Sequence, residues 1–274
     1  MARPSSTTSF FPREHGATAM LISPFVCAAI LARHWRMTEL AALVAVLMAF
    51  ALKDPLVALA RQQWVWKDRR PESSSAVRWV AVESFLIACA GGTLLATGPA
   101  KQFSLLAAGA ALFGALAIVV QVRNKQRSEW FQVASTIALT STSVAACIAA
   151  LGAVPRWGWW LWILCALQSV AGIFAVHSRL DARIASRQPD TVAPSQNRRA
   201  AVVSVSALSL AALSMALETR FWIAAALAVA AAGYGFELNR QKRPQSLVMP
   251  LKQVGQQALA LSILYGALII VGLW

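Results

Sequence analysis

Apolar residues run along this chain in blocks of about twenty, separated by short polar stretches that gather nearly all of the charge. An α-helix needs roughly 20 apolar residues to cross a hydrocarbon layer roughly 30 Å thick. The blocks predict nine spans, over 17–33, 40–60, 78–97, 103–122, 131–153, 157–177, 200–217, 221–238 and 254–273. Residues 1–16 form an N-terminal segment and 17–274 a single transmembrane domain. The expected fold is therefore all-α: a polytopic helical bundle whose odd number of spans puts its two ends on opposite sides of the membrane. The polar connections are too short to hold a soluble domain. The longest, 178–199, is rich in Arg, Ser, Gln and Pro and is expected to be partly disordered.

Composition agrees with lipid as the main solvent. Of 274 residues, 58% are hydrophobic and 13% charged, against roughly 25% charged in soluble domains. The net charge of +14 does not point to nucleic acid, because the basic residues punctuate apolar runs instead of forming a patch or stripe. Twenty of the 25 Lys and Arg fall on the side of the N-terminus. By the positive-inside rule that side is the cytoplasm and Trp274 lies outside, so the expected location is a cytoplasmic (inner) membrane. Trp35, Trp64, Trp79, Trp130, Trp157, Trp222 and Trp274 fall at span ends, where amphipathic rings settle among headgroups. Cys27, Cys89, Cys147 and Cys165 sit in four different apolar runs without a CxxC pair and read as small apolar filler. Gly91, Gly92, Gly109 and Gly114 are expected to let helix backbones approach closely.

Candidate chemistry lies in the charges that enter the spans. Lys53 and Asp54 fall inside span two, toward its cytoplasmic end, and intramembrane charges usually face a cavity or a partner. An adjacent ion pair with Lys53 reaching to the interface is the plainer account. Arg61, seven residues beyond Asp54, shares its side of the helix, and Pro55 removes a backbone donor between them. Span six leaves the membrane through His177, Arg179, Asp181 and Arg183; continued helix would stack His177 over Asp181. Gln132, Thr136, Thr140, Ser143 and Cys147 form one stripe on span five that should turn from lipid, toward either a polar cavity or a neighbouring helix. Arg123, Lys125 and Arg127 precede that stripe, and Glu83 and Glu237 lie near the same level, so a mouth ringed by both signs of charge is expected there. No HExxH, P-loop, GxSxG or GxGxxG arrangement occurs in a suitable context.

The segment Pro12-Arg13-Glu14-His15-Gly16-Ala17-Thr18-Ala19-Met20, followed by Pro24-Phe25, resembles the opening signature of the YwiC-like family of bacterial membrane proteins. Thr18 stands where that signature tends to have Trp. The resemblance rests on Pro12, Arg13, His15, Gly16, Ala17 and Met20, implies a multi-span membrane protein, and brings no residue role with it. The overall plan also looks like that of the UbiA-type intramembrane prenyltransferases, which place Asp-rich motifs in the connections after spans two and six to bind magnesium and an isoprenoid diphosphate. Here those places hold Lys53-Asp54-Pro55 with a later Asp68, and a lone Asp181. Asp54 and Asp181 are thus weak candidates for metal, and magnesium is implied only if the chain is prenyltransferase-like. A magnesium-diphosphate site calls for several carboxylates, more than these two places supply.

The expected function is binding of an isoprenoid diphosphate or another anionic lipid head in a cytoplasm-facing cavity by Lys53, Asp54, Arg61, Arg127, Arg179 and Asp181. UbiA-like packing would accompany it, with or without transfer chemistry. A permease and a non-catalytic assembly protein are the alternatives. The expected partner is membrane lipid, not nucleic acid.

Overall fold

Lipid offers no hydrogen bonds, so each backbone N–H and C=O must be satisfied within its own helix, and the Ala- and Leu-rich runs comply. The computed structural model describes residues 15–67, 72–124, 128–187 and 196–274. In order these form α1 (His15–Ala32), α2 (Met37–Arg61), α3 (Glu72–Thr97), α4 (Ala100–Val122), α5 (Glu129–Thr140) and α6 (Thr142–Leu151). They continue with α7 (Arg156–Arg187), α8 (Gln196–Leu217), α9 (Phe221–Arg240), the single turn α10 (Pro244–Leu247) and α11 (Leu251–Leu273). Among the described residues, eight spans are long and apolar enough to cross a membrane, α5 and α6 together making one of them. The 18-residue α1, about 27 Å long at 1.5 Å per residue, is a shorter apolar helix at the place of the first of the nine expected spans. For brevity, the side on which α1 begins is the N-face and the opposite side the C-face.

Three features differ from the sequence expectation. Span five is not continuous: Ser141 lies between α5 and α6, its N–H bonding Ala138 O three residues back and its hydroxyl donating to that same carbonyl at 2.7 Å. Span six runs on as unbroken helix to Arg187, and α8 starts at Gln196. Most of the connection expected to be partly disordered is therefore helical, and the remainder, 188–195, falls outside the described residues. Pro55, finally, sits within an unbroken α2, and it is a π-turn over Gln62–Trp66 that ends this span.

The centre of the bundle is α6, buried from Thr142 to Ala150. It packs most against α1 and α2, and with α1, α7, α9 and α11 it shares one apolar core that includes Phe25, Leu161, Leu227 and Ile269. Small residues permit the tightest approaches: a Cβ on Gly272 would lie 3.0 Å from the Ile223 backbone nitrogen. Gly91, Gly92, Gly109 and Gly114 are not such contacts, for a Cβ on any of them would meet nothing within 4 Å. They lie on α3 and α4, where many large side chains such as Phe85 and Leu112 are exposed, as lipid-facing positions are. Trp35, Trp64, Trp130, Trp222 and Trp274 are also exposed, as rings in an interfacial belt would be.

Candidate functional site: a cavity on the N-face side

The described residues line a half-open cavity of about 1540 Å³ walled by α1, α2, α4, α5, α6, α7, α9 and α11. In α1 the lining residues, Gly16 to Pro24, come from the half nearer the N-face, and in α11 they start near that face and run from Val254 to Gly266, whereas in α4 and α7 they run along most of the helix, from Leu105 to Gln121 and from Trp162 to Leu180. Most of the wall is apolar, with Met20, Phe50, Phe113, Phe131, Leu139 and Ile173 facing the space. Phe113 and Phe131 stack with centroids 6.3 Å apart, tying α4 to α5. Gly109 and Gly114 line the cavity, which is why a Cβ there would touch nothing.

Two groups of polar side chains interrupt this wall. The first lies toward the N-face: Lys53, Gln121, Gln132 and His177. Gln132 Nε2 and His177 Nδ1 are 3.2 Å apart, linking α5 to α7. The N-terminal turns of α1 and α11 line the same region and add the partial positive charge of helix starts. The second group is deeper. Gln168 Nε2 donates to Tyr234 Oη at 2.6 Å and to Ser262 Oγ at 3.0 Å, joining α7, α9 and α11. Nine residues separate Gln168 from His177 on one helix, which puts the groups about 14 Å apart along it.

Among the charged residues singled out from the sequence, Lys53 lines the cavity. Its ammonium is 3.6 Å from Asp54 Oδ1 and 5.1 Å from the Phe50 ring centroid. Arg61 does not line the cavity: its Nη2 donates to Gln121 O at 2.8 Å and Asn124 Oδ1 at 3.1 Å. A guanidinium there adds a donor to the Gln121 carbonyl, which also accepts from the Asn124 N–H at 3.1 Å, and complements the helix dipole. Arg179 is fully buried and paired with Glu237 of α9, and it also donates to Ser246 O of α10. Asp181 accepts from Asn197 Nδ2 of α8 at 2.8 Å, so His177 and Asp181 turn to different partners. Arg127, Lys125, Asp68, Pro12 and Arg13 lie outside the described residues, as does the side chain of His15. Gly16, Ala17 and Met20 of the signature segment line the cavity.

The stripe on span five turns inward, with Gln132, Thr136, Thr140, Ser143 and Cys147 all buried. Only its first two members reach the cavity. Each of its three hydroxyls donates to a carbonyl three or four residues back in the same span, so the stripe bonds chiefly to itself. Thr142, next to the break, donates instead across to Leu21 O of α1 at 2.7 Å.

The donor set does not suit magnesium. Among the described residues no three His, Cys, Asp or Glu side chains gather, and Asp54 and Asp181 are engaged with Lys53 and Asn197. No reaction step through a metal follows from these residues.

The deeper cluster was not foreseen from sequence. Gln168, Tyr234 and Ser262 are isolated polar residues in three separate spans, and a mid-span Gln is the one signal that could have drawn attention to it. No curated protein and no solved structure matches the chain. The YwiC-like protein family does match, over residues 11–147, which take in the signature segment, α1 to α5 and the first part of α6. By that match the chain belongs to the YwiC-like family, as a multi-span membrane protein.

Proposed function

We propose that the protein holds an amphipathic anionic lipid in this cavity, with an isoprenoid diphosphate as the leading candidate and the N-face toward the cytoplasm. The observation that carries the reading is the pairing of a long apolar wall with a polar end that includes Lys53. At about 1540 Å³ the space exceeds the roughly 300–1,000 Å³ of common small-molecule pockets, as a lipid tail requires. Lys53, His177, Gln121 and the starts of α1 and α11 would face the head, where donors and helix N-termini favour phosphate oxygens. The resemblance to UbiA-type prenyltransferases supports this reading only as a topological analogy. Transfer chemistry has no carboxylate cluster behind it.

Native mass spectrometry of gently purified protein tests the reading. A discrete co-purifying anionic lipid is expected, and Gly109→Leu with Gly114→Leu should displace it while the protein remains folded, since both glycines face open space. Retention of the same lipid by the filled variant would refute the cavity as its site.

A second reading, transport, is favoured by the break at Ser141, because helices interrupted beside a binding site are a feature of transporters. Flux of a labelled lipid phosphate across proteoliposomes, absent from protein-free vesicles, would favour it over simple binding.

A further inference from the structure

Tyr234, Gln168 and Ser262 raise a question of hydrogen-bond supply. An amide nitrogen has two hydrogens, and Gln168 Nε2 directs them to Tyr234 Oη and Ser262 Oγ. Both hydroxyl oxygens act as acceptors, and each keeps its own hydrogen. Even if one hydroxyl turns to the other, one hydrogen is left over. With the amide turned the other way, the hydroxyls would donate to Oε1, and the capacity left over would be their oxygen lone pairs. In either state the pair has bonding capacity that Gln168 does not use, and both residues face the cavity.

Neighbouring groups show what a purely structural tie looks like. Tyr265, also at the cavity wall, donates to Leu164 O at 2.9 Å, so its hydrogen is committed to α7. Tyr234, by contrast, has its hydroxyl set against Gly172 of α7, where a Cβ would stand 2.8 Å from Oη. The absent side chain at Gly172 leaves room for that hydroxyl beside the cavity. Gln168 and Tyr234 are both more than nine-tenths buried, an environment in which unmet hydrogen-bonding capacity is costly.

We propose that Tyr234 and Ser262, held by Gln168, seat an oxygen function, a hydroxyl or carbonyl, carried on the cavity's ligand about 14 Å from its anionic head. The inference rests on the lipid-binding reading and deepens it: the ligand is polar at both ends of an apolar stretch. A plain alkyl tail would leave the seat unfilled, whereas a second oxygen would complete it.

Two synthetic probes test this, dodecyl phosphate and ω-hydroxydodecyl phosphate, which differ only by a hydroxyl at the far end of a chain of about matching length. Their dissociation constants are measured on the purified full-length protein. The wild type should prefer the hydroxylated probe roughly three- to tenfold, the effect of one net hydrogen bond. Tyr234→Phe and Ser262→Ala should each erase or invert that preference, lowering affinity for the hydroxylated probe more than for dodecyl phosphate, because a hydroxyl without its partner is penalised in an apolar site. Ser262→Ala is the smaller change, and it decides the matter should Tyr234→Phe not fold.

Equal binding of the two probes by the wild type overturns the inference and leaves the lipid-binding reading standing. Equal loss of both probes in each variant also overturns it, marking the cluster as a structural tie. Binding of neither probe, with no displaceable lipid in the purified protein, removes the lipid-binding reading and this inference with it.

Discussion

Arg179 shows how a charge inside a membrane protein is accommodated. Its guanidinium is fully buried, paired with Glu237 and donating to Ser246 O, while Ser178 donates to Gln241 Oε1 and Gln241 Nε2 to Ala175 O. Removing one partner of such a pair leaves the other buried and uncompensated, at a cost of about 3–5 kcal/mol. Arg179→Met is therefore expected to lower the thermal unfolding midpoint in detergent sharply. Arg179→Met combined with Glu237→Met should recover much of the loss, since it leaves no charge without a partner; a double variant no better than the single would contradict this. A smaller effect is expected at Gly172, where Gly172→Ala must displace the Tyr234 hydroxyl and should weaken the ω-hydroxydodecyl probe more than dodecyl phosphate in the same binding measurement.

Among the elements, α4 and α6 are held in opposite ways. Around α6 the core is tight, and its C-terminal end is closed by Gly152 at φ +76, whose N–H bonds Ile148 O at 2.9 Å. Gly152→Ala would force a side chain into the left-handed region, at a cost of about 1–2 kcal/mol, seen as a lower unfolding midpoint. Helix α4 has few buried residues, Phe103, Ala117 and Val120, and its N-face end is held by Arg61. Arg61→Ala should therefore speed hydrogen exchange at residues 119–124 while α6 keeps its protection; unchanged exchange would show that the cap is dispensable. The spans themselves were legible in the sequence because lipid leaves the backbone little choice but a long apolar helix. The break at Ser141 was not, since a Thr-Ser-Thr run fits within a continuous helix as readily as at a joint. Nor could the sequence tell which way Arg61 and Arg179 point: depth follows from residue count, but the direction around the helix depends on packing against α4, α9 and α10.

Over the whole molecule, the distribution of Lys and Arg sets an expectation for orientation that chemistry can check. A cysteine-free variant carrying Trp274→Cys should react with a membrane-impermeant maleimide on intact cells, and one carrying Arg183→Cys only after lysis. The reverse pattern would place the cavity on the outer side and remove the cytoplasmic part of the proposed function. Lys53 and Gln132 at the cavity wall were already candidates in the sequence, but the deeper cluster was beyond its reach: Gln168, Tyr234 and Ser262 stand in different spans, and only the assembled bundle brings them together.

The length of α7 has a practical consequence. With 32 residues, this helix extends about 48 Å, well beyond the roughly 30 Å hydrocarbon layer, and its contact with α9 through Arg179 fixes its direction near the N-face. A chain of 29.4 kDa embedded almost wholly in detergent offers electron microscopy little to align on. Grafting a soluble helical domain in register onto the end of α7 would give such images a rigid landmark whose tilt reports directly on the bundle.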